Sequence, residues 1–143
     1  MMQLKMNLEA IKALMQSAFP QAAQHIEMVD IAPMTAVLRM PVSDKHLRPG
    51  GTVSGPTMFL LADCAYYIAT LAMIGPHPLT VTTNANINFM RRPVGAALIG
   101  TARILKLGKQ LSVGEVLIHT EENPDDCVAH ATMTYSIPPE AAR

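Results

Sequence analysis

The sequence contains no tryptophan, and only three tyrosines and three phenylalanines among its 143 residues. Eleven lysine and arginine residues balance eleven aspartate and glutamate residues, so the formal net charge is zero. A nucleic-acid-binding protein needs a broad cationic field, which this composition does not provide. Because half of the residues are hydrophobic, a chain of this length predicts a single domain over residues 1–143.

Cysteine is also scarce. The chain has two cysteines, Cys64 and Cys127, and both have apolar neighbours in the sequence. They form no CxxC motif, and the five histidines have no HxH or HxxxH spacing. Glu9 and Lys12 interrupt the N-terminal segment, which is untypical of a secretory signal. We therefore predict a cytoplasmic protein with reduced thiols, without a metal or another cofactor.

Charge is missing from the most apolar run of the chain, Pro56 to Gly75, except at Asp63. The run is nearly long enough to cross a bilayer, but polar residues interrupt it and no basic clusters flank it, which favours a buried helix. An ionised aspartate is seldom buried without a partner, and burial makes a carboxylate more basic. Asp63 is therefore a candidate catalytic group. The alternative is a core aspartate that accepts a bond from a backbone N–H or a hydroxyl group.

The pattern of apolar residues predicts the element order α-β-β-α-β-β-β-β. The predicted ranges are an amphipathic helix at 4–17 within an N-terminal segment 1–20, strands at 25–31 and 34–42, the apolar helix at 55–75, and strands at 80–90, 97–107, 111–120 and 126–137. Short connections between the strands favour an antiparallel sheet, so the fold class is α+β. A helix that is apolar on every side must be enclosed, and one curled sheet can enclose it. The last strands are apolar on both faces, which indicates contact with another subunit.

Ser54, Gly55 and Pro56 are typical of a helix start, with a hydroxyl N-cap and a proline in the first turn. Such a start offers unpaired N–H groups and the positive end of the helix dipole. Gly55 and Asp63 are then about 12 Å apart along the helix axis. One substrate group therefore cannot contact both residues of the same chain.

Five fragments in this order resemble the hot-dog fold, and specifically the PaaI-like acyl-CoA thioesterases, over about residues 28–138. In that family a loop Asn is followed after six residues by His-Gly-Gly, and an Asp lies nine residues after the His. The present segment, RPGGTVSGP, keeps the spacing, but it has Arg48 for the Asn, Ser54 for the His and Pro56 for the second Gly. The other matching fragments are Gly51 and Gly55 with Asp63, Thr82 to Pro93, Leu107-Gly108-Lys109, and Val113 to Val116.

The resemblance implies a curled antiparallel sheet around the central helix, and a dimer or dimer of dimers with sites shared between two chains. It implies that the Gly55 N–H holds the carbonyl oxygen of an acyl-CoA thioester. Asp63 then acts either as the base that activates water or as the nucleophile. Thr82, on the polar face of its predicted strand together with Asn84, orients the water; alternatively it is an ordinary strand threonine. The alternative function is non-catalytic binding of acyl-CoA or another hydrophobic ligand.

The predicted substrate-binding residues are Arg48, Ser54 and Tyr67. Arg48 either donates to the thioester carbonyl or an acidic acyl group, or pairs with Asp63. Tyr67 lies one turn after Asp63 and either lines the acyl pocket or is a core aromatic residue. Cations at strand ends and hairpins are candidates for the CoA phosphates, or are solvated surface charges: Arg91, Arg92, Lys106 and Lys109.

Overall fold

The computed structural model describes residues 3–142 of the chain. Helices α1 (Leu8–Ala18) and α2 (Pro20–Ala23) come before strands β1 (Glu27–Ala32) and β2 (Thr35–Pro41). Helix α3 (Gly55–Ile74) follows, and then strands β3 (Val81–Phe89), β4 (Ala97–Leu107), β5 (Leu111–Thr120) and β6 (Cys127–Ser136). Short 3₁₀ turns lie at Asp44–His46 and Pro139–Ala142.

The six strands form one antiparallel sheet in the order β1-β2-β4-β5-β6-β3. The sheet curls around α3, whose side chains Leu61, Tyr66, Ile68 and Leu71 are fully buried in the core. Strand β3 is at one edge of the sheet, directly after the connection that leaves α3. The α+β hot-dog fold predicted from the sequence is confirmed.

The N-terminal helix begins later than the apolar pattern predicts. The side chain of Asn7 accepts a hydrogen bond from Ala10 N at 2.9 Å and so caps α1 before Leu8. The preceding Lys5 N–H donates instead to the carbonyl of Ala72 at 2.8 Å, which joins this segment to the end of α3. Pro20 ends α1 as predicted, but it also begins the short helix α2. Strands β4 and β5 have the predicted bounds.

The sheet encloses most of helix α3, as predicted, and leaves part of its first half open. Fifteen of its twenty residues are buried, and the other five lie in its first half, where Phe59 is 37% exposed and Asp63 partly buried. The helix is long and apolar enough to cross a membrane, yet 83% of its most apolar window is buried inside this domain. It is therefore the core helix of the domain with one face left open.

Candidate active site

Asp63 lies on the open face of α3, two turns after the helix begins. Its Oδ1 accepts hydrogen bonds from Thr82 Oγ1 at 2.7 Å and from Tyr135 Oη at 2.5 Å. The Tyr135 hydroxyl is also 2.9 Å from the backbone carbonyl oxygen of Asp63. Hydroxyl-to-carboxylate bonds of this length are charge-assisted. Asp63 therefore has the hydroxyl partners that a core aspartate would need, and it remains partly accessible.

A β-bulge directs Thr82 toward Asp63. Thr82 lies opposite Tyr135 in β6, whereas Asn84 lies opposite the residue just before Tyr135, so Thr83 is an extra residue in β3. A bulge of this kind shifts the alternation of side chains by one residue. The prediction that Thr82 shares a face with Asn84 is therefore wrong, because a strict period of two does not allow for the bulge. Thr82 points instead to the inner side of the sheet.

Tyr135 belongs to this site, although the sequence pattern does not single it out. It is 2% exposed, and its ring packs against Tyr66 and Tyr67 with centroid distances of 5.6 and 6.0 Å. Burial, and then the charge of Asp63, raise the pKa of Tyr135 well above its usual value, so the hydroxyl remains a donor. Alternation along β6 puts Tyr135 on the inner face. This alternation does not identify which of the inward-facing residues of β6 contacts α3.

Asp63 borders a pocket of about 360 Å³ between the end of α1, α3 and the start of β3. The walls are mainly apolar and aromatic: Ala18, Phe19, Cys64, Tyr67, Pro78, Thr80, Val81, Thr82 and Tyr135. The Tyr67 hydroxyl donates to the Pro78 carbonyl at 2.9 Å, and its ring meets Phe19 edge-on at a centroid distance of 6.4 Å. Tyr67 therefore lines the pocket and is at the same time a buried aromatic residue.

The other ionisable groups that line this pocket stay protonated at neutral pH. Burial, and then the charge of Asp63, raise the pKa of the Cys64 thiol to about 12. Burial also raises the pKa of Tyr67. Among the described residues of the pocket, the carboxylate of Asp63 is thus the group that can accept a proton or attack a carbonyl carbon.

The start of α3 has the predicted N-cap. Ser54 Oγ accepts from Thr57 N at 3.3 Å and lies 2.8 Å from Thr57 Oγ1, so its hydroxyl is engaged in capping. Gly55 occupies the first helical position, where an N–H has no acceptor within the helix. A Cβ atom at Gly55 would lie 3.3 Å from the ring of Phe89, so glycine permits this close approach. The Gly55 N–H is therefore at the tip of the helix beside an apolar ring.

His46 supports this helix start, which the sequence analysis did not anticipate. Its backbone carbonyl accepts from Ser54 N at 2.9 Å, and its Nδ1 accepts from Ser43 N at 3.0 Å. The side chain is buried, and this burial lowers the pKa of His46. A neutral imidazole therefore anchors the loop that leads to Gly55.

The predicted cations fall into separate places within one chain. Arg48 and Arg92 line a cavity of about 130 Å³ together with Pro49, Gly50 and Thr52. Arg91 and Arg92 together line a neighbouring cavity of about 240 Å³, in which Arg91 lies 3.7 Å from Asp126. Lys106 lies near the end of β4 and Lys109 in the β4–β5 turn, so both are about 30 Å along the strand from the start of β4. Arg48 is thus grouped with Arg92, whereas Asp63 receives its hydrogen bonds from Thr82 and Tyr135.

Histidine, cysteine and acidic side chains do not converge in groups of three or more that could hold a metal ion, as far as residues 3–142 are concerned. The predicted absence of a cofactor remains a prediction.

A domain with a curled sheet around one helix, and with a carboxylate beside an apolar pocket, is typical of hot-dog enzymes. Residues 50–127 match the thioesterase superfamily, which is more than half of the chain, so the protein belongs to this family. A candidate thioesterase of known structure from Silicibacter sp. TM1040 is 45% identical, with a TM-score of 0.88 and 96% of each chain covered.

Two further relatives extend the comparison. The 1,4-dihydroxy-2-naphthoyl-CoA hydrolase of Listeria monocytogenes is 26% identical over 76% of this chain and 88% of its own length. The E. coli PaaI protein from the phenylacetic acid degradation operon has the same fold, with a TM-score of 0.77, 22% identity, and 88% and 89% of the two chains covered. The resemblance is thereby confirmed at the level of the thioesterase superfamily, and the likeness to PaaI is one of fold.

Proposed function

We propose that the protein hydrolyses acyl-CoA thioesters and that Asp63 carries the reaction. The observation that supports this most directly is the carboxylate itself, which two hydroxyl groups orient at the edge of an apolar pocket. The acyl chain would occupy the pocket lined by Phe19 and Tyr67. Membership of the thioesterase superfamily supports the same reaction class.

The reaction follows from the chemistry of these groups. Asp63 either removes a proton from water, whose oxygen then attacks the acyl carbon, or attacks that carbon itself to form a mixed anhydride that water later hydrolyses. In both routes the C–S bond breaks, CoA leaves as a thiol after taking up a proton, and the carboxylate of Asp63 is restored. The negative charge that develops on the carbonyl oxygen needs an N–H donor, for which Gly55 at the helix tip is the candidate.

We further propose that each site combines Gly55 of one chain with Asp63 of another. The two residues are eight positions apart, about 12 Å along one helix, so a single carbonyl group cannot reach both. The open face of α3 includes Pro56, Phe59 and Asp63 and would be covered by an antiparallel second copy of the helix. A symmetric dimer then has two equivalent sites.

For the CoA moiety we propose the cavity between Arg48 and Arg92. Two arginines that line one cavity suit phosphate oxygens, with which a guanidinium group forms bidentate bonds. The cavity lies in the loop that leads to Gly55, and Val53 N–H of this loop bonds the carbonyl of Pro93 at 3.2 Å. With its phosphates held there, CoA would extend its thioester end into the site past the start of α3.

The activity is tested by the release of free CoA thiol from short, medium and long alkyl-CoAs and from aryl-CoAs. We expect release from at least one class well above that of the Asp63→Asn variant. Binding of these thioesters without release of CoA would support the alternative, a non-catalytic acyl-CoA-binding protein. That alternative has one observation in its favour, since the hydroxyl of Ser54 is engaged in the helix cap.

The shared site is tested by mixing two inactive variants. Asp63→Asn and Gly55→Val chains are unfolded together and refolded as a mixture. A heterodimer then contains one site with an intact Gly55 and an intact Asp63, so about a quarter of wild-type activity should return. No recovery, with heterodimers confirmed by native mass spectrometry, would contradict a site shared between chains.

A further inference from the structure

Two hydroxyl groups converge on the same oxygen of Asp63. Tyr135 Oη lies 2.5 Å and Thr82 Oγ1 lies 2.7 Å from Oδ1, and the two donors face each other across β3 and β6. No described residue donates to Oδ2. Because no buried side-chain oxygen of the described chain lacks a partner, Oδ2 must be accessible. The two oxygens of one carboxylate thus have different surroundings.

Tyr135 is fixed in its position by its surroundings. Its ring is 2% exposed and is held between the rings of Tyr66 and Tyr67. Its hydroxyl bonds two oxygens of Asp63, namely Oδ1 and the backbone oxygen at 2.9 Å. A donor held in place in this way restricts the rotation of the carboxylate.

We infer that Tyr135 is a positioning residue for the proposed thioester hydrolysis: together with Thr82 it occupies Oδ1 of Asp63 and leaves Oδ2 as the oxygen that reacts. This inference rests on the proposed function for its catalytic consequence. Hydrogen bonds to the ionised form also stabilise the carboxylate. Tyr135 therefore holds the carboxylate of Asp63 in one orientation at the edge of the pocket.

Other groups around the pocket do not provide this effect. Its remaining ionisable members are Cys64 and Tyr67, which are neutral because burial raises the pKa of each. The end of α1 contributes Ala18 and Phe19, and the segment around the start of β3 contributes uncharged residues. If the Tyr135 hydroxyl is removed, no charged residue of the described pocket can replace its effect on Asp63.

The test compares Tyr135→Phe with Tyr66→Phe. Both remove one buried hydroxyl from the same aromatic cluster, but the Tyr66 hydroxyl bonds Ser112 Oγ at 2.8 Å instead of Asp63. We expect Tyr135→Phe to lower kcat by about 10- to 100-fold, the effect of one charge-assisted hydrogen bond, with KM changed little. The acid limb of its pH–rate profile should move to higher pH. Tyr66→Phe should change neither kcat nor the pH profile.

A second measurement does not depend on turnover. With ¹³C-carboxyl-labelled aspartate the chain has five aspartate signals, and the Asp63→Asn variant identifies that of Asp63. The titration midpoint of this signal should rise in Tyr135→Phe and remain unchanged in Tyr66→Phe. Should Tyr135→Phe fail to fold, Thr82→Val removes the other donor to Oδ1 and must move the midpoint in the same direction.

The outcomes separate this inference from the proposed function. If wild type hydrolyses no thioester of the panel, the proposed function is wrong, and the titration alone decides whether Tyr135 sets the state of Asp63. If wild type is active, but Tyr135→Phe has normal kcat and an unmoved acid limb, the positioning role is overturned. Equal losses in Tyr135→Phe and Tyr66→Phe would also overturn it, since both would then act through packing.

Discussion

The two halves of α3 have similar apolar sequences but different surroundings. The second half, from Cys64 to Ile74, is buried throughout within its own chain. The first half contains all five helix residues that are not buried, among them Phe59 and Asp63. Apolar composition alone therefore shows that a helix is removed from water, and it does not show whether its own chain or another surface covers it. The carboxylate lies where the cover by its own chain ends.

The polar groups of the two halves differ in the same way. The Thr70 hydroxyl lies 3.1 Å from Ser112 Oγ, which also bonds Tyr66 Oη at 2.8 Å, and all three residues are buried. These bonds satisfy buried groups and stabilise the fold. Asp63 also has two partners, but both bond its Oδ1, and the residue borders the pocket. In the proposed function, the polar group with spare bonding capacity is the one that reacts.

The largest contrast is expected between Asp63→Asn and Thr70→Val. Asp63→Asn keeps the shape of the side chain but removes the base or nucleophile, so turnover should fall by about 100- to 10,000-fold with the fold retained. Thr70→Val should lower stability and leave turnover within about twofold, because its hydroxyl does not face the pocket. CoA release and thermal unfolding measured on both variants check this. Near-normal turnover in Asp63→Asn would exclude its catalytic role.

The buried half should dominate stability. Leu71 is fully buried, so Leu71→Ala should lower the free energy of unfolding by about 2–5 kcal/mol through lost burial and a cavity. Leu79→Ala is the matched control, since Leu79 is 75% exposed and its loss should cost about 0.5 kcal/mol or less. Urea denaturation measures both. Equal losses in the two variants would contradict the view that the core lies around the second half of α3.

The open half should instead govern association. Phe59→Glu puts a charge on the exposed face of α3 and should raise the dissociation constant of the proposed dimer about 30-fold or more. Sedimentation at several concentrations measures this constant. Val29→Glu, at a residue of β1 that is 51% exposed, is the control and should leave this dimer intact. An unchanged dissociation constant in Phe59→Glu would place the interface elsewhere.

The sequence was sufficient for the features that depend on local patterns. Apolar alternation between clear turns predicted β4 and β5 to the residue, and the isolated charge identified Asp63. The partners of Asp63 were not predictable in the same way. Thr82 reaches it through a bulge that a period of two cannot represent, and Tyr135 reaches it through pairing of strands far apart in sequence. The prediction for Arg48 placed it near the thioester carbonyl, an acidic acyl group or Asp63. The spacing of residues along a loop does not determine where the loop folds, and within one chain Arg48 lines a cavity with Arg92.

The smallest effect is expected for Arg48→Asn, which tests the side of the molecule next to the helix tip. If Arg48 and Arg92 hold CoA phosphates, the variant should raise KM for the acyl-CoA by a few-fold, about the value of one exposed ionic contact. Hydrolysis of the corresponding acyl-N-acetylcysteamine, which lacks phosphates, should be unaffected. Arg103→Asn, which replaces an exposed arginine in β4, should alter neither substrate's KM.

The pH–rate profile of Arg48→Asn provides the decisive contrast, because a cation in contact with Asp63 would stabilise its charged form. If the acid limb of Arg48→Asn moves to higher pH, Arg48 of one chain lies close to Asp63 of a second chain. The charges at the two ends of the open face would then interact directly across the dimer.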